Sequence, residues 1–231
     1  MTPSSLPYVI RMDDGVALLL LACFLASAYV LGRSRKFLAL MAKGFLLHRE
    51  RTSLFANTTA ADVRRLLLLV VQTCVLWGVL LLCVEDGLLP ELTRRINPHV
   101  LLGLYVGICL VMLLARWLIY SFLSWIYFDE TRAALWLESY STLIYYLGFA
   151  AFPLVLLAVY FDLNLSVTIG AGVVLATLAE FLVFFKWLKL FCPHSYGVFP
   201  LVLYFCALEI APYLALHRGV TQLNEYLLTK F

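Results

Sequence analysis

The sequence predicts an all-α membrane protein. Six transmembrane helices and one interfacial amphipathic helix make a single integral-membrane domain, 1–231. Three observations predict it. Hydrophobic residues make up 64% of the chain and charged residues 13%, outside the usage of soluble domains. The apolar residues fall into runs long enough to cross a bilayer, at roughly 20 residues per helical crossing. Basic residues gather beside alternate ends of those runs, the pattern that sets orientation. The runs take up most of the length, so no separate soluble domain is expected.

Span 1 covers about 15–32. Arg11, Asp13 and Asp14 precede it and Arg33, Arg35 and Lys36 follow. That arrangement reads as an anchor with its amino end outside rather than a cleaved leader. The connection to Arg65 adds Lys43, Arg49, Arg51 and Arg64 and is expected on the cytoplasmic side. Within it, Phe37, Leu38, Met41, Phe45 and Leu46 recur at near-helical spacing between basic groups. The spacing predicts an amphipathic helix over Lys36–His48, lying in the interface or against the bundle's own inner face. Asn57-Thr58-Thr59 matches a glycosylation acceptor, but on the side where it would go unused. Thr59 with Asp62 resembles a capping pair for the next helix.

Span 2 covers about 66–84, with Gln72 and Thr73 as polar insertions. The Glu85–His99 stretch, with Pro90 and Pro98, reads as an outer loop. Span 3 covers about 100–120; Trp117, Tyr120, Trp125 and Tyr127 read as an aromatic belt. Asp129, Glu130 and Arg132 mark an inner turn. Span 4 covers about 136–160, with a kink expected at Pro153. Span 5 covers about 165–187 and ends in Lys186 and Lys189. A turn from Cys192 to Gly197 leads to span 6, about 198–217, and a short outer tail. Both termini are then expected outside. Arg94, Arg95 and Arg218 are exceptions to the charge rule.

Arg116, Glu138, Glu180 and Glu209 are the intramembrane charges that need shelter. Each would cost about 2.5–3.5 kcal/mol facing lipid, so they are expected to face inward, pair or be neutral. Helical spacing gives each a face. Tyr105, Cys109, Met112, Arg116 and Tyr120 share one, as do Glu138, Thr142, Tyr145 and Phe149. Thr168, Gly172, Ala176 and Glu180 form a small-residue stripe that admits a close neighbour. At about 1.5 Å per residue, Arg116 and Glu180 both lie about 23–25 Å from the outer ends of their spans. They are the best-matched pair, with Glu138 as a third member. Glu209 lies nearer the midplane. Pro212, three residues on, lacks an N–H and frees the carbonyl of Leu208. An acid beside a broken helix is also how transporters build sites. The network Arg116, Glu138, Glu180, Glu209 and Pro212 therefore reads either as a lock that fixes helix order or as a proton site.

Other classes find little support. The six cysteines are scattered without a Cys-x-x-Cys pair and read as small apolar side chains. His48 and His194 fall inside while His99 and His217 fall outside, so they cannot share one metal. No cofactor is expected. There is no His-Glu-x-x-His, Gly-x-Ser-x-Gly or phosphate-binding glycine loop. The net charge of +3, clustered at helix ends, does not suggest nucleic acid.

The stretch Leu203 to Pro212 reads Leu-Tyr-Phe-Cys-Ala-Leu-Glu-Ile-Ala-Pro. Upstream stand Ser53-Leu54-Phe55 in the basic loop and Trp125-Ile126-Tyr127 after the Arg-bearing span. In these residues the chain resembles a family of multi-pass inner-membrane proteins of Bacteroidota known only as a domain of unknown function, over roughly Gly15 to Arg218. The resemblance implies an envelope with two membranes and inner-membrane residence. It supplies no catalytic residues and emphasises Glu209 and Pro212 through a Leu-Glu-Ile-x-Pro unit.

The expected function is non-enzymatic: an accessory or assembly subunit of an envelope complex, whose partners are the bilayer and other envelope proteins. One alternative is a small proton-coupled carrier using Glu209. The other is an intramembrane lipid-modifying enzyme, for which Cys192, His194 and Ser195 are the nearby candidates.

Overall fold

The computed structural model describes residues 10–47, 60–127, 130–161, 163–191, 214–227 and 229. Eight helices and no strands occur among the described residues. After a 3-10 turn, Ile10–Met12, come α1 (Asp14–Leu47), α2 (Ala60–Leu88), α3 (Pro90–Arg95), α4 (Pro98–Tyr127), α5 (Glu130–Tyr160) and α6 (Leu165–Phe191). A last helix, α7, spans 214–227.

Short polar side chains start three of the long helices, α1, α4 and α6, by satisfying their first N–H groups. The Asp13 carboxylate accepts from Gly15 N at 2.8 Å and Val16 N at 3.4 Å. The Asn97 side-chain oxygen accepts from His99 N at 3.0 Å, and that of Asn164 from Ser166 N at 3.2 Å. Pro90 stands in the first turn of α3, where its missing N–H costs nothing.

Among the described residues, five helices are long and apolar enough to cross a membrane: Asp14–Arg35, Arg64–Leu88, Pro98–Phe122, Leu135–Tyr160 and Leu165–Lys186. α2 and α5 are central, with 50% and 44% of their spans buried within the protein, against 17% for α4. Glycines set the closeness of the central contacts. A side chain at Gly78 would lie 3.1 Å from the backbone nitrogen of Val106, so α2 and α4 meet almost backbone to backbone. Gly148 of α5 leaves room for the Thr73 side chain of α2, whose hydroxyl donates to Leu69 O at 2.8 Å.

Successive long helices alternate in direction. One end of the bundle gathers the start of α1, the end of α2, the starts of α4 and α6, and α7. Val16, Leu20, Leu82, Leu101, Tyr105, Val159 and Val220 form its core. The other end holds Tyr120, Trp136, Tyr140, Ala179 and Val183.

The break expected after the first span is a kink: α1 runs Asp14–Leu47 as two helical segments that meet at the non-helical Ser34 (φ −121°, ψ 19°). The hydroxyl of buried Ser34 accepts from Arg65 Nη1 at 3.2 Å, which fixes the bend against α2. The expected amphipathic helix is thus the continuation of span 1. Leu38 is buried with Val30, Leu66, Leu69 and Tyr145, and its carbonyl accepts from the Tyr146 hydroxyl at 3.1 Å. At this residue the stretch packs on the bundle rather than facing lipid. Glu85 lies on α2, not in a loop, and the outer loop contains α3. α5 runs from Glu130 to Tyr160 with Pro153 inside it. Tyr120 is 5% exposed and belongs to the core, so it does not join an interfacial belt. Of span 6, residues 198–213 lie outside the described residues, and 214–217 belong to α7. Thr59 and the Asn57 triplet also lie outside.

Candidate functional site: a buried ion pair between α4 and α6

The faces drawn from helical spacing are the buried ones. Tyr105, Arg116 and Tyr120 of α4 and Glu138, Thr142 and Tyr145 of α5 all have under 9% of their surface exposed. Inward facing is what an intramembrane charge requires, because lipid offers no hydrogen-bond partner.

Arg116 Nη1 donates to Glu180 Oε1 at 2.8 Å. The side chains are 10% and 20% exposed. Each residue stands the same number of positions before the end of its span, Phe122 or Lys186, which is why the two meet at one depth. The small-residue stripe brings α6 inward. Thr168 and Gly172 are buried, and a Cβ on Gly172 would lie 3.3 Å from Leu80 of α2.

α5 brings Tyr140 to this pair. Arg116 hydrogen-bonds its hydroxyl, and Glu180 is near enough to act on it electrostatically. Tyr140 lies 5.1 Å from the ring of Tyr120 and 6.4 Å from that of Trp136, and Tyr120 meets Trp136 edge-on at 5.3 Å. Tyr120 follows Arg116 by one helical turn, so one face of α4 supplies both a cation and an aromatic wall. Glu138 is buried on α5 half a turn before Tyr140. Its carbonyl accepts from the Thr142 hydroxyl at 2.7 Å. The arrangement can hold three helices in register. Its low-polarity wall strengthens the attraction between the ions.

A second polar cluster was not drawn from the sequence. At the opposite end, Asn224 of α7 is 1% exposed. Its Nδ2 donates to Glu85 Oε2 at 2.8 Å, and its Oδ1 accepts from the Tyr105 hydroxyl at 3.1 Å. One amide therefore ties the final helix to both α2 and α4. The sequence offers no spacing signal for it. Between α1 and α2, Gln72 Nε2 lies 2.6 Å from Ser27 Oγ.

Glu209 and Pro212 lie outside the described residues, as do Cys192, His194 and Ser195. Cys23, Cys74, Cys83 and Cys109 are free thiols. No group of three metal-ligating side chains occurs among the described residues.

A helical bundle with five apolar spans among the described residues, and with sheltered charges, defines the class: a polytopic helical membrane protein. The particular family follows from sequence comparison. A domain of unknown function, DUF4271, matches residues 16–220, and the chain belongs to that family. No curated protein and no solved structure matches it significantly.

Proposed function

We propose that this protein is a non-enzymatic accessory or assembly subunit of an envelope complex. It resides in the inner membrane of a bacterium of the Bacteroidota, crosses six times and keeps both termini in the periplasm. The observation that carries the reading is the ion pair of Arg116 and Glu180. It meets Tyr140, whose ring packs on those of Tyr120 and Trp136, and it joins helices on either side of α5. An acid held by a guanidinium across three helices suits a scaffold.

The sixth crossing draws support from the residues on either side of it. α6 begins beside the end of α2, where Leu165 lies against Gly87. Its 27 residues carry the chain about 40 Å away. α7 stands back at the Glu85 end. Phe191 and α7 therefore stand at opposite ends of the bundle, as a crossing between them requires.

Extraction in mild detergent followed by native gel electrophoresis tests the subunit reading. We expect migration in an assembly well above the 26.2 kDa of the chain. Migration of all the protein alone, at normal abundance, would sink it. The carrier reading predicts instead that Glu209→Gln removes a pH-dependent uptake while leaving the protein stable.

A further inference from the structure

A cleft of about 360 Å³ opens at the bundle end that holds α7, between the 3-10 turn, the ends of α2 and α5 and the start of α6. That volume falls within the range of small-ligand sites, about 300–1,000 Å³. Cys83, Val159 and Leu165 give it an apolar side, and Arg11, Asp86 and Thr168 supply the polar lining. Three observations bear on what it takes.

First, both signs of charge line one small space. Thr93 donates its hydroxyl to Asp86 Oδ1 at 2.5 Å, which orients the carboxylate and leaves Oδ2 to accept from a ligand. Arg11 is exposed and carries five N–H donors in a fork suited to phosphate. Second, the cleft sits where the spans end, at Leu88, Tyr160 and Leu165. That is headgroup depth. Third, large apolar side chains flank it and are exposed: Met12 by 74%, Leu88 by 54% and Phe161 by 72%. A soluble ligand would gain nothing from that rim, whereas an acyl chain would lie along it.

We propose that this cleft binds the headgroup of a phospholipid bearing a primary amine, with its phosphate on Arg11 and its ammonium on Asp86. The proposal goes beyond the subunit reading and needs only membrane residence. An ammonium donates hydrogen bonds to a carboxylate; a quaternary choline cannot.

The test is native mass spectrometry of the purified full chain, equilibrated with equal amounts of phosphatidylethanolamine, phosphatidylglycerol and phosphatidylcholine. We expect phosphatidylethanolamine to be retained about ten-fold over phosphatidylcholine, the scale of one hydrogen bond to a charged group. Asp86→Asn keeps an acceptor for Thr93 and should erase that preference. Arg11→Gln, at an exposed position, should weaken retention of all three lipids. Ala158→Leu narrows the cleft and should do the same. Equal retention of the three lipids by the native protein overturns the proposal. So does an Asp86→Asn variant that keeps the preference, or an Arg11→Gln variant that binds as before. Displacement of the lipid by free phosphoethanolamine at equal concentration also overturns it, because the apolar side would then contribute nothing.

Discussion

The two ions held between α4 and α6 depend on each other. Replacing either one with Leu takes the opposite charge away from a largely buried ion, and each single loss should approach the low end of about 3–5 kcal/mol for breaking a buried pair. The double Leu variant should recover part of that loss, because neither charge then remains. Thermal unfolding in detergent compares the three, and a double variant that loses the sum of the two single losses would refute the coupling. Asn224 invites a second prediction. Asn224→Leu removes both hydrogen bonds and leaves Tyr105 and Glu85 without that partner. We expect α7 to detach, so that exposed Arg218 becomes a fast trypsin site. Equal cleavage rates in both proteins would count against the clamp.

At the scale of elements, α2 is the helix on which the others converge, and its small residues decide how closely. Gly78 faces the backbone of Val106, and Gly148 of α5 faces Thr73. Gly78→Val and Gly148→Val should each push a helix outward and cost about 1–3 kcal/mol as overpacking. Gly103 supplies the control, since nothing lies within 4 Å of its added Cβ. Gly103→Ala should leave the melting temperature within about a degree, or raise it slightly through helix propensity. If Gly103→Ala destabilises as much as Gly78→Val, close approach at Gly78 is not the reason.

Taken whole, the molecule places Phe191 and α7 at opposite ends of one bundle. Reporter domains fused after Phe191 and after Thr229 should therefore report opposite sides of the membrane. The same side for both would remove the sixth crossing and the proposed periplasmic position of the carboxyl end. The pairing of Arg116 with Glu180 was legible from residue counts, because a helix converts sequence position into depth at a fixed rise. Tyr140 as the hydrogen-bond partner was less legible. Spacing put Glu138 on an inward face, and only the side-to-side packing of α4 and α5 brings Tyr140 to the guanidinium.

What the sequence determined alone is whatever one helix decides for itself: where each apolar run lies, which face carries its charges, and how deep they sit. Hydrocarbon enforces these locally, since each segment must satisfy its own backbone and shelter its own ions. Tertiary structure decided what depends on two segments meeting. Glu85 looked like the first residue of an outer loop, and Asn224 like one polar residue of a solvated tail. They stand 139 positions apart, and no periodicity links them. The bend at Ser34 likewise depends on Arg65 arriving from α2. Such contacts are set by the packing of whole helices, where a single glycine such as Gly78 moves every partner downstream.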